Sequence, residues 1–119
     1  MEGYGKKVWL IPDMYWPEVT SEGHYVSHEA VCVLNTGNKD AKISIKVFFE
    51  DCEPIEFDSV ICKAQRTNHI RMDKLNPTKN LGKGKAYAAL VSSDVPVVVQ
   101  YTRVDTTQAE NAIMTSIAY

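Results

Sequence analysis

The sequence predicts an all-β protein, an antiparallel β-sandwich of about eight strands with a jelly-roll-like arrangement, and a barrel is the alternative. Short stretches of β-branched and aromatic residues recur along the chain between clusters of turn residues. Segment 41–51 alternates apolar and polar residues, and no stretch shows the apolar period of a long helix. With 119 residues, the chain is expected to form a single domain, 1–119.

The N-terminal part of the chain predicts one strand followed by a loop. Segment 6–11 is rich in β-forming residues and reaches Pro12, where we expect the strand to end. The next stretch, 12–18, has two prolines and two aromatic residues, which favours an extended loop.

The middle of the chain predicts a β-hairpin. Segment 24–35 becomes β-branched toward its end, and 41–51 alternates with one apolar face and one largely polar face. Between them, Gly37 and Asn38 tolerate the positive φ angles of a tight turn. We therefore expect these two strands to pair with each other.

The second half of the chain predicts shorter strands and one break. A tight connection at Asp94, Val95 and Pro96 is expected to separate two strands, a polar loop is expected over 76–85, and 106–112 favours a helical turn. The expected strands of this half are 59–64, 66–72, 86–94, 96–104 and 113–119.

Composition restricts the classes of function. The net charge is -2, so bulk attraction to nucleic acid or anionic lipid is not expected. The apolar stretch from Val8 to Ile11 is too short for a signal peptide or a membrane span, so a cytoplasmic location is expected by default. Three cysteines without a C-x-x-C spacing predict neither a disulfide framework nor a zinc site.

Polar residues interrupt the strand that begins with three valines at 97–99. Strand alternation puts Arg103 and Asp105 on one face and Gln100 and Thr102 on the other. A strand that leaves the core in this way is typical of a binding surface, although a solvated edge and a subunit salt bridge are the ordinary alternatives.

Two other strands carry similar groups. Thr67, His69 and Arg71 share one face of 66–72, while His28 and Glu29 lie on opposite faces of theirs. We expect these sets to meet with Arg66 in one hollow at an end of the sandwich, where arginines donate hydrogen bonds and carboxylates accept them. Aromatic residues, among them Trp9, add an apolar platform of the kind that sugar-binding sites use.

The sequence predicts no catalytic or metal-binding residues and no cofactor. His24 and His28 lie roughly 7 Å apart along a strand, but the spacing places no third metal ligand. Cys32 lies inside an apolar run, where a thiol is unreactive. Ser27 points to the face opposite His28, so these residues do not form a nucleophile and base pair.

Several segments resemble the sensory rhodopsin transducer family. They are "YVSHEAVCVLNTG" (25–37), "AQRTNHIRM" (64–72) and "VPVVVQYTRVDTTQAENAIMTSIAY" (95–119), with "VWLIPDMYWP" (8–17) in addition. The resemblance implies an all-β sandwich that assembles into a cyclic homotetramer and relays a signal from a membrane photoreceptor without enzymatic activity. It also implies binding of small molecules, carbohydrates among them, and DNA binding has been suggested for the family.

The polar positions that the family shares coincide with the cluster expected from strand alternation. They map onto His28, Glu29, Asn35, Arg66, Thr67, His69, Arg71, Gln100, Thr102, Arg103, Asp105 and Asn111. The predicted ligand-binding residues are therefore Trp9, His28, Glu29, Arg66, His69, Arg71, Gln100, Thr102, Arg103, Asp105 and Asn111. A signalling module, a small-molecule binder and a DNA-binding regulator remain open as functions, as does a purely structural tetramer in which these residues make subunit contacts.

Overall fold

Eight antiparallel strands form the protein in the computed structural model, which describes residues 2–16, 27–75, 84–106 and 112–119. The strands are β1 Lys6–Tyr15, β2 His28–Asn35, β3 Ala41–Phe49, β4 Ile55–Glu56, β5 Val60–Cys62, β6 Arg66–Arg71, β7 Ala86–Asp105 and β8 Ala112–Ile117. A short 3₁₀ turn, Met72–Lys74, follows β6. The predicted all-β, antiparallel fold class is confirmed.

Strand β7 joins two half-sheets because it is 20 residues long and pairs with different strands along its length. Its first half pairs with β1 and β3, and β3 in turn pairs with β4 and β5. Its second half pairs with β2 and β8, and β2 pairs with β6. The sheet curls so that inward side chains of both half-sheets form one core.

The core follows the predicted alternation. In β3, Ile43, Ile45 and Val47 are buried, whereas Lys42 and Ser44 are exposed. Burying each aliphatic side chain of this size contributes about 1.5–3 kcal/mol. This contribution fixes which face of the strand turns inward.

The expected break at Asp94, Val95 and Pro96 is wrong, because β7 runs through these residues without interruption. They lie between Ser93, the last residue paired with β3, and Val97, which pairs with β1. Proline has no N–H to donate to a neighbouring strand. Pro96 is tolerated in β7 because it lies where the strand changes from one pairing partner to another, so no regular ladder hydrogen bond is lost there.

The expected hairpin of β2 with β3 is also wrong, because the two strands belong to different half-sheets. The crossing is held by buried Asn35, whose Nδ2 donates to the carbonyl of Lys39 at 2.8 Å and to that of Cys62 at 3.1 Å. Its Oδ1 accepts from the amide of Gly37 at 3.1 Å. Neither Gly37 nor Asn38 has a positive φ.

Strand β1 continues past Pro12, where it was expected to end. Ile11 pairs with Ala89 and Met14 pairs with Tyr87, so two residues of β1 lie opposite one of β7. This is the pattern of a β-bulge, in which a proline is tolerated.

Two further predictions concern residues that are mostly or partly outside the described ones. The helical turn expected over 106–112 and the loop expected over 76–85 include residues 107–111 and 76–83. Strand β4 had no counterpart in the prediction, because a two-residue strand is too short to give an alternating pattern.

Candidate functional site

A buried carboxylate lies at the centre of the most polar part of the core. The side chain of Glu29 has no exposed surface. It accepts hydrogen bonds from the hydroxyls of Tyr87 and Tyr101, from the backbone amide of Tyr15 at 2.7 Å, and from Nε of Arg103 at 3.2 Å. We call Tyr15, Glu29, Tyr87, Tyr101 and Arg103 the Glu29 cluster.

Three strands bring this cluster together. Glu29 is on the inward face of β2, and its register partner on β7 is Arg103. Tyr101 lies two residues before Arg103 and so shares its face. Because β7 curls, Tyr87 near its beginning also reaches the carboxylate, beside the end of β1.

Arg103 is held tightly on one side only. Its Nε donates to Glu29 and, at 2.9 Å, to the hydroxyl of Tyr101, and its guanidinium lies 5.9 Å from the ring centroids of Tyr15 and of Tyr101. Its Nη2 is buried and has no hydrogen-bond partner among the described residues. The carboxylate of Asp13 approaches Nη2 to 3.9 Å, but that side chain is 91% exposed.

Burial and charge shift the proton affinities of this cluster. Burial, followed by the charge of Glu29, raises the pKa of Tyr87 far above its ordinary value. Burial and the hydrogen bond to Glu29 do the same to the pKa of Tyr101. Burial opposes the charge of Arg103, yet the neighbouring Tyr101 and Glu29 outweigh it and raise the pKa of Arg103.

The cluster is poorly suited to acid–base or nucleophilic chemistry. Tyr87 and Tyr101, whose pKa values are raised, stay protonated at neutral pH. The Glu29 carboxylate already accepts four hydrogen bonds. Among the described residues, no three His, Cys, Asp or Glu side chains are placed to hold a metal ion. The arrangement instead fixes the guanidinium of Arg103 in one orientation.

A second polar region lies on the other side of the same half-sheet. Directly opposed residues of paired strands share a face, so the registers of β2, β6, β7 and β8 define one outward surface. We call this surface the outer face, and it consists of His28, Ala30, Cys32, Leu34, Thr67, His69, Arg71, Val98, Gln100, Thr102, Val104, Ile113, Thr115 and Ile117.

Side chains on the outer face make local contacts. Arg71 donates from Nε and Nη2 to the carboxylate of Asp73 at 2.8 and 2.7 Å. Burial opposes the charge of Asp73, but these bonds, helped by nearby His28, lower the pKa of Asp73. Thr102 contacts the hydroxyl of Thr115 at 3.3 Å.

Comparison of the sequence with models of protein families identifies the family of this chain. The profile described as "ASRT: Anabaena sensory rhodopsin transducer" matches residues 4–119. The chain belongs to the Anabaena sensory rhodopsin transducer family. The resemblance expected from the sequence is thereby confirmed.

Two solved structures are similar to this transducer-family chain along nearly its whole length. The crystal structure of Thermotoga maritima 1070 is 38% identical, with a TM-score of 0.86, and the match covers 97% of this chain and 94% of that one. The structure of the Anabaena sensory rhodopsin transducer is 35% identical, with a TM-score of 0.77, and the match covers 90% of this chain and 95% of that one. None of the curated protein sequences is significantly similar to the chain.

The predicted site residues of this transducer-family chain do not form the single hollow that we expected. The inward-facing Glu29 and Arg103 join in the Glu29 cluster. On the opposite side of the half-sheet lie the predicted residues His28, His69, Arg71, Gln100 and Thr102. The backbone of the sheet separates the two groups.

The remaining predicted residues lie elsewhere. Trp9 donates its indole N–H to the carbonyl of Val97 at 2.9 Å, six residues and therefore about 20 Å along β7 from Arg103. Arg66 is exposed at the start of β6 and donates to a neighbouring carbonyl. Asp105 is half-buried at the end of β7, and Asn111 lies outside the described residues.

The site prediction missed the tyrosine hydroxyls that hold Glu29. Alternation in 86–94 puts Tyr87 on the same face as Ala89 and Val91, which are buried. A buried tyrosine hydroxyl needs an acceptor, and this need was the signal available in the sequence. The partner itself was not predictable, because Tyr87 and Glu29 are 58 residues apart.

Within the described part of the chain, no helix is long and apolar enough to cross a membrane. A cavity of about 320 Å³ lies away from the Glu29 cluster. Lys7, Lys39 and Asp94 are among its lining residues. It shares no residue with the predicted site.

Proposed function

We propose that this chain is a non-enzymatic signalling and binding module of the cytoplasm, a single domain that works as a homotetramer. Family membership supports the role, since a 35% identical relative bears the name Anabaena sensory rhodopsin transducer. By analogy, its partner is a membrane photoreceptor of the sensory rhodopsin type. The partner or a ligand changes the contacts between copies.

The observation that carries this proposal is the exposed, uncharged surface around β8. Every residue of β8 is exposed, and none is charged. Ile113 and Ile117 are each 67% exposed, and Leu34 and Val98 of the outer face are 44% and 36% exposed. Edge strands usually carry charges or proline that block pairing, and large apolar side chains exposed together on one face are typical of an interaction site.

A second copy of the chain fits this surface because its charge does not oppose self-association. Among the described residues of the outer face there is no Asp, Glu or Lys, and Arg71 is paired with Asp73. A cyclic assembly joins two different patches of each copy. Val8 and Leu10 of β1, 49% and 48% exposed, offer a second apolar area.

Strand β7 gives a physical route for the signal. Gln100 and Thr102 on the outer face alternate along β7 with Tyr101 and Arg103 of the Glu29 cluster. A movement of Gln100 and Thr102 on the outer face therefore displaces Tyr101 and Arg103 in the Glu29 cluster, and the reverse also holds. A ligand or partner transmits a signal in this way only if it binds two assembly states with different affinity.

Sedimentation analysis of an Ile117→Lys variant tests the proposal. We expect the wild type to sediment as a tetramer and the variant as smaller species, because a lysine on an apolar contact surface must lose its hydration or break the contact. Ile61→Lys is the matched control, since Ile61 is 49% exposed on β5, away from the outer face. A monomeric wild type at all concentrations, or equal effects of the two variants, would contradict it.

A small-molecule binding protein without a rhodopsin partner is the second candidate. The observation that favours it is the buried Nη2 of Arg103, which lacks a partner among the described residues. DNA binding is not favoured, because Arg66 is exposed at a strand end, Arg71 is paired and Arg103 is in the core. Binding to DNA requires basic groups gathered on one face.

A further inference from the structure

The guanidinium of Arg103 has a buried nitrogen, Nη2, for which the described part of the protein offers no acceptor. Its Nε serves Glu29 and Tyr101, whereas Nη2 is buried and makes no hydrogen bond to a described residue. Native proteins rarely leave a buried polar group unpaired, and each exception calls for an explanation such as a bound ion or water. For a cationic donor the natural acceptor is an anion.

Asp13 does not fill that position, although it lies next to it. Its Oδ1 is 3.9 Å from Nη2, beyond hydrogen-bonding distance, and the side chain is 91% exposed. Asp13 is in the β-bulge of β1, and bulges often redirect side chains beside functional sites. Because it is exposed, Asp13 can turn into solvent when another acceptor approaches.

The guanidinium is already fixed for binding. The Tyr15 and Tyr101 rings flank it at 5.9 Å, and Glu29 anchors its Nε from the buried side. Side-chain ordering is a large part of the cost of binding, so a side chain that is ordered in advance binds more tightly.

The charges nearby select the kind of anion. Glu29 neutralises Arg103, and Asp13 adds a negative charge at the rim, so a dianion such as phosphate is disfavoured. We propose that Arg103 Nη2, beside Asp13, binds a small monocarboxylate. This inference refines the small-molecule candidate and does not depend on the tetramer.

Calorimetric titration with acetate tests the site, with chloride at equal ionic strength as the reference. Acetate is expected to bind the wild type better than chloride does. Asp13→Asn is expected to tighten acetate binding about fivefold, because it removes a like charge at the rim. Asp51→Asn, which removes an exposed carboxylate elsewhere, is expected to leave acetate binding unchanged.

Arg103→Gln is expected to abolish acetate binding, and if that variant does not fold, Asp13→Asn still decides the question. Acetate that binds no better than chloride to either the wild type or Asp13→Asn would overturn the inference. Equal effects of the two asparagine variants would overturn it as well. Binding of glycerol or glucose without acetate would overturn the carboxylate assignment but retain a small-molecule role, whereas no binding at all would remove both.

Discussion

At the scale of single residues, the Glu29 cluster replaces the hollow expected from the sequence. Alternation correctly separated Arg103 and Asp105 from Gln100 and Thr102. The prediction was wrong in placing side chains from both faces of one strand in the same site, because side chains on opposite faces of a sheet are separated by its backbone. Which residues gather depends on register between distant strands, and local pattern does not encode that register.

Replacing Tyr87 by phenylalanine tests whether Glu29 depends on its tyrosine donors. At neutral pH we expect Tyr87→Phe to lower the free energy of unfolding by about 1.5–3 kcal/mol, the contribution of a hydrogen bond to a charged group. Denaturant unfolding measures this difference. Tyr119→Phe is the control, because Tyr119 is 65% exposed and its hydroxyl is expected to contribute almost nothing.

The same variant has a distinct pH profile. Burial and Glu29 raise the pKa of Tyr87 and of Tyr101, so both stay protonated in the folded state while unfolded tyrosines ionise near pH 10. Their stabilisation is complete below about pH 10 and is lost above it, at about 1.4 kcal/mol per pH unit for each tyrosine. Tyr87→Phe should reduce this alkaline slope by about half. An unchanged slope would contradict the assigned environment.

At the scale of elements, the sequence predicted where strands lie better than how they pair. The alternation of β3 and the apolar runs of β2 and β7 marked these strands correctly. The hairpin failed because Asn35 carries the chain across to the other half-sheet. Pro12 and Pro96 were interpreted as strand ends. Pro12 lies in a bulge and Pro96 at a change of pairing partner, and neither feature gives a periodic pattern in the sequence.

The start of β1 rests on a glycine that no other residue can replace easily. Gly5 has φ of +105°, and a Cβ there would lie 2.0 Å from the carbonyl oxygen of Val97. Gly84 also has a positive φ, of +73°. Gly84→Ala should therefore cost about 1–2 kcal/mol, the penalty of the left-handed region, and Gly5→Ala should cost more. Unfolding midpoints that fall equally for both would show that the N-terminal segment does not pack on β7 as described.

At the scale of the whole molecule, family membership and the exposed outer face support the same account. Val97 and Val99 are buried, whereas Val98 between them is 36% exposed on the outer face. The sequence could not tell a wet face from one that another copy covers, because both are outward positions of a strand. The family resemblance supplied the expectation of an assembly, and the uncharged β8 supplies a physical reason for it.

Hydrogen exchange of the β8 amides at high and low protein concentration tests the central claim most directly. If a second copy covers β8 and the outer face, amides of 112–119 should exchange slowly in concentrated solution and faster on dilution, while those of 43–47 in β3 remain unchanged. If β8 exchanges at the same fast rate at every concentration, the surface stays open to solvent and the account of an assembled transducer is contradicted.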